Sequence, residues 1–290
     1  MRSLAPLTFF GLRVAMGAAL CVSATFAQVQ VQVQGVFFEA LNEERQAGCE
    51  GRPGVRAPLQ AQSRLGEAAR ALAEGRSLEA ALASSNYRAM RASQITLRGY
   101  SDPEAMARGV ARHSCAALLN PTLTQAGVHV RGDAMWLVLA APFLPPSPEQ
   151  GAQVRAQVLQ LVNEARRQPR RCGTKPMAAA RPLKLDETLN AVAAGHAADM
   201  ARHSYFSHTA RDGSQAAQRA SRAGYAWRSV GENLAAGQLD AADAVQGWLQ
   251  SPGHCVNVMA PQFTQMGLAF AVNPKSEAGI YWVQVLGLPQ

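Results

Sequence analysis

Histidine and glutamate side chains in the C-terminal half are the residues whose types and spacing could carry chemistry. The stretch "SPGHCVNVMAPQFTQMG" sets His254 beside Cys255, and His208 and Glu232 precede it in the chain. Two imidazoles and one carboxylate can bind zinc and leave a fourth position for water. Without a metal, Glu232 could act as a general base that a histidine orients. The residue types therefore make His208, Glu232 and His254 candidate metal ligands, and Glu232 and His208 candidate catalytic residues.

The chain repeats part of its own sequence. "CAALLNPTLTQAGV" aligns without a gap with "CVNVMAPQFTQMGL", and "NEERQAGC" is echoed by "NEARRQPRRC". Between the two halves lies "PFLPPSPEQG", whose prolines are typical of a stiff linker. Internal repeats decide how a fold is assigned. We therefore predict a tandem duplication, with a degenerate first copy at residues 28–145 and a second copy at residues 146–290.

The first copy keeps the frame of the second but lacks its polar candidates. Gln94 stands where the second copy has Glu232. Ser114 stands where the second copy has His254, and the loop that carries His208 is largely missing. Requirements of the scaffold act on both copies, whereas a site can lapse in one. The comparison thus singles out the same three residues as a possible site.

Two further histidines of the second copy are predicted to be structural. His196 and His203 lie on the apolar stripe of a helix that Asp186 is expected to cap at its N-terminus. His196 aligns with Leu72 of the first copy, which indicates a core position. His203 would end the helix, where an imidazole can meet the last free carbonyl groups.

The repeat also predicts how the cysteines pair. Cys49 corresponds to Cys172, and Cys115 corresponds to Cys255. If both copies share a fold, the simplest pairing is within each copy, Cys49–Cys115 and Cys172–Cys255. An even number of cysteines in an exported chain favours disulfides. Each bond would close a long loop, for which the chain-entropy model gives about 4 kcal/mol.

The first 27 residues are typical of a secretory signal peptide. They carry arginines but no acidic residue, contain an apolar run from Val14 to Phe26, and end in "TFA", with small residues where a signal peptidase cleaves. No later segment has the roughly 18 continuous apolar residues of a membrane span. We expect a secreted or periplasmic protein with no transmembrane segment after cleavage.

The composition is that of a basic globular protein. Of the 290 residues, 48% are hydrophobic and 17% are charged. Without the first 27 residues the chain has 26 basic and 20 acidic residues, a net charge of +6. Nearly all the basic residues are arginines, typical either of an arginine-favouring genome or of attraction to anionic envelope polymers or lipid headgroups. The arginines do not cluster with aromatic residues, so nucleic acid is not an expected partner.

Helices and strands alternate in the second copy without clean β-α-β units. Helices are predicted at about 151–168, from Asp186 to His203, at about 214–223, and after Asp240. "MGLAFAV" and "IYWVQVLG" are predicted strands, and "GENLAAG" is predicted to be irregular or a short helix. This order favours an α+β sandwich over a doubly wound sheet.

The helix after Asp240 is predicted to end at "SPG", which leaves His254 and Cys255 in an extended segment. Neighbouring side chains of an extended segment point to opposite faces. We therefore expect Cys255 to face the scaffold and His254 to turn towards His208 and Glu232.

Four motifs of the second copy resemble the CAP superfamily, the cysteine-rich secretory, antigen five and pathogenesis-related (SCP) domain, in its bacterial form. The motifs are "DMARHSYFSHT", "GENLAAG", "VQGWLQSPGHCVN" and "FTQMG" followed by "YWVQ", over about residues 152–290. Residues 36–145 resemble a degenerate form of the same domain. The resemblance implies an α-β-α sandwich, an extracellular place, and a shallow cleft with two histidines and two glutamates that in some members binds divalent metal or lipid.

The four cleft residues of the family are only half present. His208 matches the first histidine, and Glu232 matches the glutamate of the GEN motif. Ser251 stands at the position of the second glutamate, and Gln262 at that of the second histidine. His254, which follows "SPG", is expected to fill the gap.

Two classes of function are compatible with these residues. The favoured one is an exported, non-catalytic binding module with a cleft for a divalent metal such as zinc, or for a small apolar or lipid ligand, in the cell envelope or outside. The alternative is a hydrolase, dependent on metal or on Glu and His, that acts on peptides or envelope polymers. No serine, threonine or free cysteine stands out as an activated nucleophile, which weighs against the hydrolase. No residue is assigned to an organic cofactor, and the first copy is expected to dock on or cap the second.

Overall fold

The computed structural model describes residues 34–100 and 102–290, so the predicted signal peptide at residues 1–27 lies outside the described residues. The chain divides into two compact units, one ending at Pro142 and the other beginning at Phe143. Within the described ranges, every helix is too short or too polar to cross a lipid bilayer.

The N-terminal unit contains one sheet and the helices that pack on it. Its strands follow the order β1-β3-β4-β2, with β1 parallel to β3 and the other neighbours antiparallel. In chain order the elements are α1 (34–47), β1 (Gln60–Ala61), α2 (Ser63–Ala73), α3 (Leu78–Ser84), β2 (Ala89–Arg98), α4 (Pro103–His113), α5 (Cys115–Leu118), β3 (Gln125–Arg131) and β4 (Ala134–Pro142).

The C-terminal unit has a sheet with the same pattern of pairing. Its strand order is β7-β9-β10-β8, with β7 parallel to β9 and the other neighbours antiparallel. After a 3-10 turn (Pro148–Gln150) the elements are α6 (Gly151–Arg166), β5 (Arg170–Cys172), β6 (Lys175–Met177), β7 (Lys184–Leu185), α7 (Glu187–His203), α8 (Ala216–Arg222), β8 (Trp227–Ala236), α9 (Ala241–Gln250), α10 (Pro252–Met259), β9 (Gln265–Val272) and β10 (Ile280–Pro289).

The central strand β10 sends alternate side chains into two apolar layers. Trp282 and Leu286 pack with residues of α6, α9 and α10. Val283 and Val285 pack on the other face, with residues of α7 and α8. Alternation is the consequence of the two-residue repeat of a strand. The sheet of this unit is therefore covered by helices on both faces, and the predicted α+β fold class is confirmed.

One fully buried arginine in each unit links its helix to backbone carbonyls of other segments of the same unit. Arg166 of α6 donates to four backbone carbonyls, those of Arg181 (2.7 Å), Val258 (2.6 Å), Ala260 (3.0 Å) and Phe263 (3.1 Å). Arg45 of α1 donates in the same way to the carbonyls of Ala57, Leu118, Asn120 and Leu123. Burial lowers the pKa of Arg166 to about 10. A buried cation is tolerated only where its donors are satisfied, so these carbonyl sets are part of the scaffold.

Several sequence predictions are confirmed. Asp186 caps α7 by accepting a bond from the backbone N–H of Leu189 at 2.9 Å, and Asp240 caps α9 in the same way. The two predicted strands are β9 and β10. The disulfides form within each unit as expected, Cys49–Cys115 and Cys172–Cys255.

The prediction for "GENLAAG" is wrong, because this segment continues strand β8. Glu232 lies opposite Val285 in the antiparallel ladder with β10, and residues 232–235 are buried. The glycines and alanines of the motif have weak strand propensity. Pairing with β10 and cover from α9, where Trp248 donates its indole N–H to the carbonyl of Leu234 at 3.0 Å, decide the conformation instead.

The expectation of an extended segment at His254 and Cys255 is also wrong. The chain turns at Ser251 and continues as α10, with Pro252 in the first turn. Proline fits there because its missing N–H would have no helical partner. Adjacent residues of a helix differ by about 100° in direction rather than by a half-turn. His254 and Cys255 thus still point different ways, and Cys255 is fully buried in its disulfide whereas His254 is half-buried.

Candidate functional site

The loop between α7 and α8, residues 204–215, brings His208 to strand β8. The Nδ1 atom of His208 lies 2.8 Å from the Oε1 atom of Glu232. The Glu232 side chain is 4% exposed and that of His208 is 52% exposed. The predicted contact between these two residues is therefore formed, with the carboxylate inside and the imidazole at the surface.

Arg219 of α8 occupies the second oxygen of the same carboxylate. Its Nη2 atom lies 2.5 Å from Glu232 Oε2. Its Nη1 atom donates to the backbone carbonyls of His208 at 3.1 Å and of Ser214 at 2.6 Å. The guanidinium supplies the positive charge that a buried carboxylate requires.

These partners decide which nitrogen of His208 carries a proton when the imidazole is neutral. A carboxylate paired with arginine can only accept hydrogen bonds, so the Nδ1 atom of His208 must donate to Glu232. The Nε2 atom then has a free lone pair. Since half of the side chain is exposed, the site presents a basic, hydrogen-bond-accepting nitrogen to the outside.

His254 lies in the first turn of α10. Burial, and after it the positive charge of His208, lowers the pKa of His254 from its usual value of 6.5. Its imidazole is therefore neutral near pH 7. The charge of a protonated His208 contributes to this lowering.

A cluster of three amide side chains lies beneath these residues. Asn233 donates to the carbonyl of His254 at 3.3 Å and to the side chain of Gln284 at 2.9 Å. Asn257 donates to the side chain of Asn233 at 3.0 Å and to the carbonyl of Glu232 at 3.2 Å. Asn233 and Gln284 are fully buried. The amide cluster (Asn233, Asn257, Gln284) ties β8, β10 and α10 together beneath the site.

The amide cluster and Arg219 were not predicted from the sequence. A signal for the cluster was present, because Asn233 and Gln284 are the polar residues of otherwise apolar strand segments, "NLAA" and "YWVQVLG". Arg219 gave no such signal, since an arginine in a short helix usually faces solvent.

The histidines of α7 differ in their relation to the site. His196 is 2% exposed, which agrees with the predicted core position, and its Nε2 atom bonds to the carbonyl of Ser207 at 2.9 Å. His203 lies outside the site, with Nε2 3.5 Å from Asp199 and Nδ1 3.0 Å from Arg211.

The two residues at the remaining family positions do not replace the missing cleft groups. Ser251 precedes α10, and Gln262 lies exposed in the turn before β9.

The predicted metal ligands do not form a three-ligand set. Across residues 34–100 and 102–290, no three His, Cys, Asp or Glu side chains converge as they would around a metal ion. Both oxygens of Glu232 are engaged, one with His208 and one with Arg219. A carboxylate held in this way does not fit the role of a metal ligand, and its bond to Nδ1 fixes the orientation of the His208 ring.

Two curated proteins of Bacillus subtilis (strain 168) are similar to part of this chain. The uncharacterized protein YkwD is 32% identical over 104 residues, which are 36% of this chain and 38% of that protein. The uncharacterized membrane protein YlbC is 33% identical over 86 residues, which are 30% of this chain and 25% of that protein. The chain thus spans well under half the length of either relative.

Two solved bacterial structures are similar to part of this chain. An extracellular protein containing an SCP domain from Bacillus anthracis str. Ames has 22% identity and a TM-score of 0.42, over 57% of this chain and 56% of that chain. An outer surface protein from Borrelia burgdorferi has 20% identity and a TM-score of 0.39, over 50% of this chain and 96% of that chain.

The family comparison bears on the C-terminal unit alone. Residues 159–286 match the CAP model, described as the cysteine-rich secretory protein family. These residues contain His208, Glu232, His254, Arg219 and the amide cluster. The motifs that resemble this family in the sequence all fall within the matched range.

Proposed function

We propose that the C-terminal unit is an exported, non-catalytic binding module whose site is centred on the imidazole of His208. The observation that carries the proposal is the 2.8 Å bond between the half-exposed His208 and the buried Glu232. The carboxylate is kept from water and holds one surface imidazole in one orientation, in addition to its ion pair with Arg219. This creates a fixed accepting nitrogen for a ligand.

The chemistry of this nitrogen indicates the kind of ligand. A neutral imidazole with a free Nε2 lone pair binds groups that donate, such as hydroxyls and amide N–H groups. Phe206, two residues before His208 in the same loop, is 54% exposed and offers an apolar contact surface. A small apolar or lipid ligand that carries a hydroxyl or amide group suits both features.

A divalent metal is the second ligand that we consider for this site. Its donors would be the Nε2 atom of His208 and the imidazole of His254, with Glu232 behind His208 as its orienting partner. Carboxylates commonly orient metal-binding histidines from behind in this manner. Imidazole nitrogens favour zinc, copper or nickel over magnesium or calcium.

Export is supported by the two disulfides and by the N-terminal sequence. Disulfides persist in oxidising compartments such as the periplasm or the cell exterior, and each unit contains one. The net positive charge would favour contact with anionic envelope polymers.

The alternative function is a hydrolase in which His208 acts as the base. Its orientation by Glu232 resembles the way in which catalytic dyads hold a histidine that takes a proton from water or a hydroxyl. This reverses the predicted roles, because the buried Glu232 is the orienting group. Cys255, in a disulfide, cannot be the nucleophile.

Metal analysis and lipid extraction of the purified mature chain test the binding proposal. We expect a lipid-like compound or a transition metal to copurify with the wild-type chain and to be lost from His208→Ala. The matched control is His113→Ala, which changes an exposed histidine of the N-terminal unit. Equal content in wild type and His208→Ala would contradict the proposal. Turnover of peptides or envelope polymers that disappears in Glu232→Ala would favour the hydrolase.

We further propose that the N-terminal unit is a degenerate copy of the C-terminal unit. The equal strand orders, the disulfide in each unit and the buried arginines Arg45 and Arg166 support this. Matching side-chain bonds add to it, among them Tyr87 to Gln125 at 2.7 Å and Tyr225 to Gln265 at 2.6 Å.

The proposed role of the N-terminal copy is to dock on or cap the C-terminal unit. A fragment of residues 146–290 would then be less stable than the whole chain or would self-associate. A fully stable, monomeric fragment would contradict the capping role without affecting the proposed duplication.

A further inference from the structure

One buried and one largely buried side chain hold the backbone of the loop that carries His208. His196 of α7 donates from Nε2 to the carbonyl of Ser207 at 2.9 Å. Arg219 of α8 donates to the next carbonyl in the chain, that of His208, at 3.1 Å. Consecutive carbonyl groups are thus fixed from two different helices, immediately beside the functional imidazole.

Arg219 connects three parts of the site. It binds the carbonyl of His208 in the middle of the loop, the carbonyl of Ser214 near the end of the loop, and the carboxylate of Glu232 on β8. Its side chain is 11% exposed. One guanidinium, with its fixed fork of donors, therefore holds both the loop backbone and the Glu232 carboxylate that orients His208.

His196 is suited to a fixed, neutral role. A carbonyl oxygen only accepts, so the Nε2 atom of His196 carries the proton, and its Nδ1 atom has no partner within the described residues. Burial lowers the pKa of His196, and the positive charge of Arg219 lowers it further. The negative charges of Glu232 and Asp199 raise it by smaller amounts. The ring stays neutral and its one N–H is committed to the loop.

The N-terminal unit shows that the fold does not require these two groups. Leu72 of α2 stands at the position of His196 in the sequence alignment. Ala81 of α3 stands at the position of Arg219. The next residue in each unit, Leu82 or Ala220, accepts a backbone bond from a tyrosine five residues later, Tyr87 or Tyr225. Leu72 and Ala81 are buried. There α2 and α3 are joined by residues 74–77, whereas residues 204–215 join α7 and α8.

We propose that His196 and Arg219 are positioning residues of the binding site. They fix the loop at residues 204–215 and hold Glu232 against His208, so that the Nε2 atom of His208 faces outwards as an acceptor. Neither residue touches the ligand. The inference rests on the proposed site at His208 and is independent of which ligand binds there.

The test compares two readouts in the full mature chain with its disulfides intact. Amide hydrogen exchange reports the opening of the loop, and the ring ¹⁵N shifts of His208 report which nitrogen carries the proton. In Arg219→Ala and His196→Leu we expect exchange within residues 204–215 to be faster by about tenfold or more, which corresponds to about 1.4 kcal/mol of local opening free energy. We also expect His208 to lose its single tautomer, while exchange in β10 stays unchanged.

Matched variants separate positioning from a general structural role. Arg202→Ala and Arg228→Ala remove exposed arginines of α7 and β8 that have no bond to residues 204–215 within the part of the chain that the structure describes, so both should behave as wild type. His196→Gln keeps an N–H that can reach the loop and should restore protection. Where Arg219→Ala fails to fold, Arg219→Lys, which keeps the charge without the fork of donors, should show the loop effect.

Unchanged exchange and an unchanged His208 tautomer in the folded variants would overturn the inference. So would equal effects in the controls. If the loop and tautomer respond as expected but no ligand is ever found at His208, the proposed function fails while the positioning roles stand.

Discussion

Glu232 and Gln94 occupy the same register position in two sheets of the same strand order. Glu232 lies opposite Val285 of β10, and Gln94 lies opposite Val138 of β4. Each of these valines in turn faces a glycine of the third strand. The same architecture therefore accepts a neutral amide where the C-terminal unit has a buried carboxylate with two partners. The carboxylate of Glu232 thus accompanies Arg219 and His208, which the N-terminal unit lacks.

The amide cluster should be replaceable by apolar residues at little cost in stability. Asn233 lies opposite Gln284 where the N-terminal unit pairs Ile95 with Leu137. The triple variant Asn233→Ile, Gln284→Leu and Asn257→Ala should keep its free energy of unfolding within about 2 kcal/mol, because removal of the three amides together leaves no buried side-chain amide without its partner. The ring signals of His254 should nevertheless change, because its carbonyl loses a donor.

The single variant Asn233→Ile is the control for this prediction, with stability measured by urea unfolding. It removes the shared amide partner of Asn257 and Gln284, which leaves the buried Oε1 of Gln284 without that donor, and should lose about 1–3 kcal/mol. A triple variant less stable than the single one would show that the cluster stabilises the fold.

Replacement of Arg166 by leucine should be strongly destabilising. The change removes the donor shared by four backbone carbonyls, three of which are in buried hydrogen bonds. We expect a loss of at least about 3 kcal/mol in the free energy of unfolding. Arg167→Leu, one residue on and exposed, should change it by about 0.5 kcal/mol or less. Similar values for the two variants would refute the scaffold role of Arg166.

Removal of the second disulfide should lower stability by about 2–5 kcal/mol. The double variant Cys172→Ala and Cys255→Ala tests this by denaturant unfolding, with Cys49→Ala and Cys115→Ala as the matched pair in the other unit. Mapping of disulfide-linked peptides should recover both predicted pairs. A crossed pair, or a free thiol at any of these four positions, would contradict the fold described here.

Acid should destabilise the C-terminal unit before its carboxylates protonate. The pKa of His196 and that of His254 are lowered, each mainly by burial. The unfolded chain takes up these protons near the ordinary value of 6.5, and the folded chain resists them. Their contribution to stability is therefore present above pH 6.5, and it is lost as the pH falls from there through the pKa values that the two histidines have in the folded chain. Thermal melts from pH 8 to pH 5 should show a falling Tm, with a smaller fall in His196→Leu. An unchanged slope in that variant would exclude the contribution of His196.

The sequence was sufficient where local signals and the repeat agreed. The caps at Asp186 and Asp240 and the apolar runs of β9 and β10 are local features, and each predicted its element correctly. The cysteines could be paired because the repeat gives each half one early and one late cysteine. His208 and Glu232 could be selected because the first copy lacks them.

Long-range contacts determine the parts that could not be predicted. "GENLAAG" becomes a strand because β10, some fifty residues later, pairs with it. Pro252 and Gly253 resemble a helix end, but the chain turns and starts a new helix there. Arg219 and Asn233 show their roles only once the loop, β8 and α10 are brought together.

The most direct test of the account is the protonation pattern of the His208 ring in the folded, disulfide-bonded chain. Long-range ¹H–¹⁵N spectra at a pH where the ring is neutral distinguish the two nitrogens. We predict a single tautomer with the proton on Nδ1, towards Glu232, and an unprotonated Nε2 that faces outwards. A proton on Nε2, or rapid averaging between the two forms in the wild-type chain, would contradict the proposal that Glu232 holds His208 as the centre of a binding site.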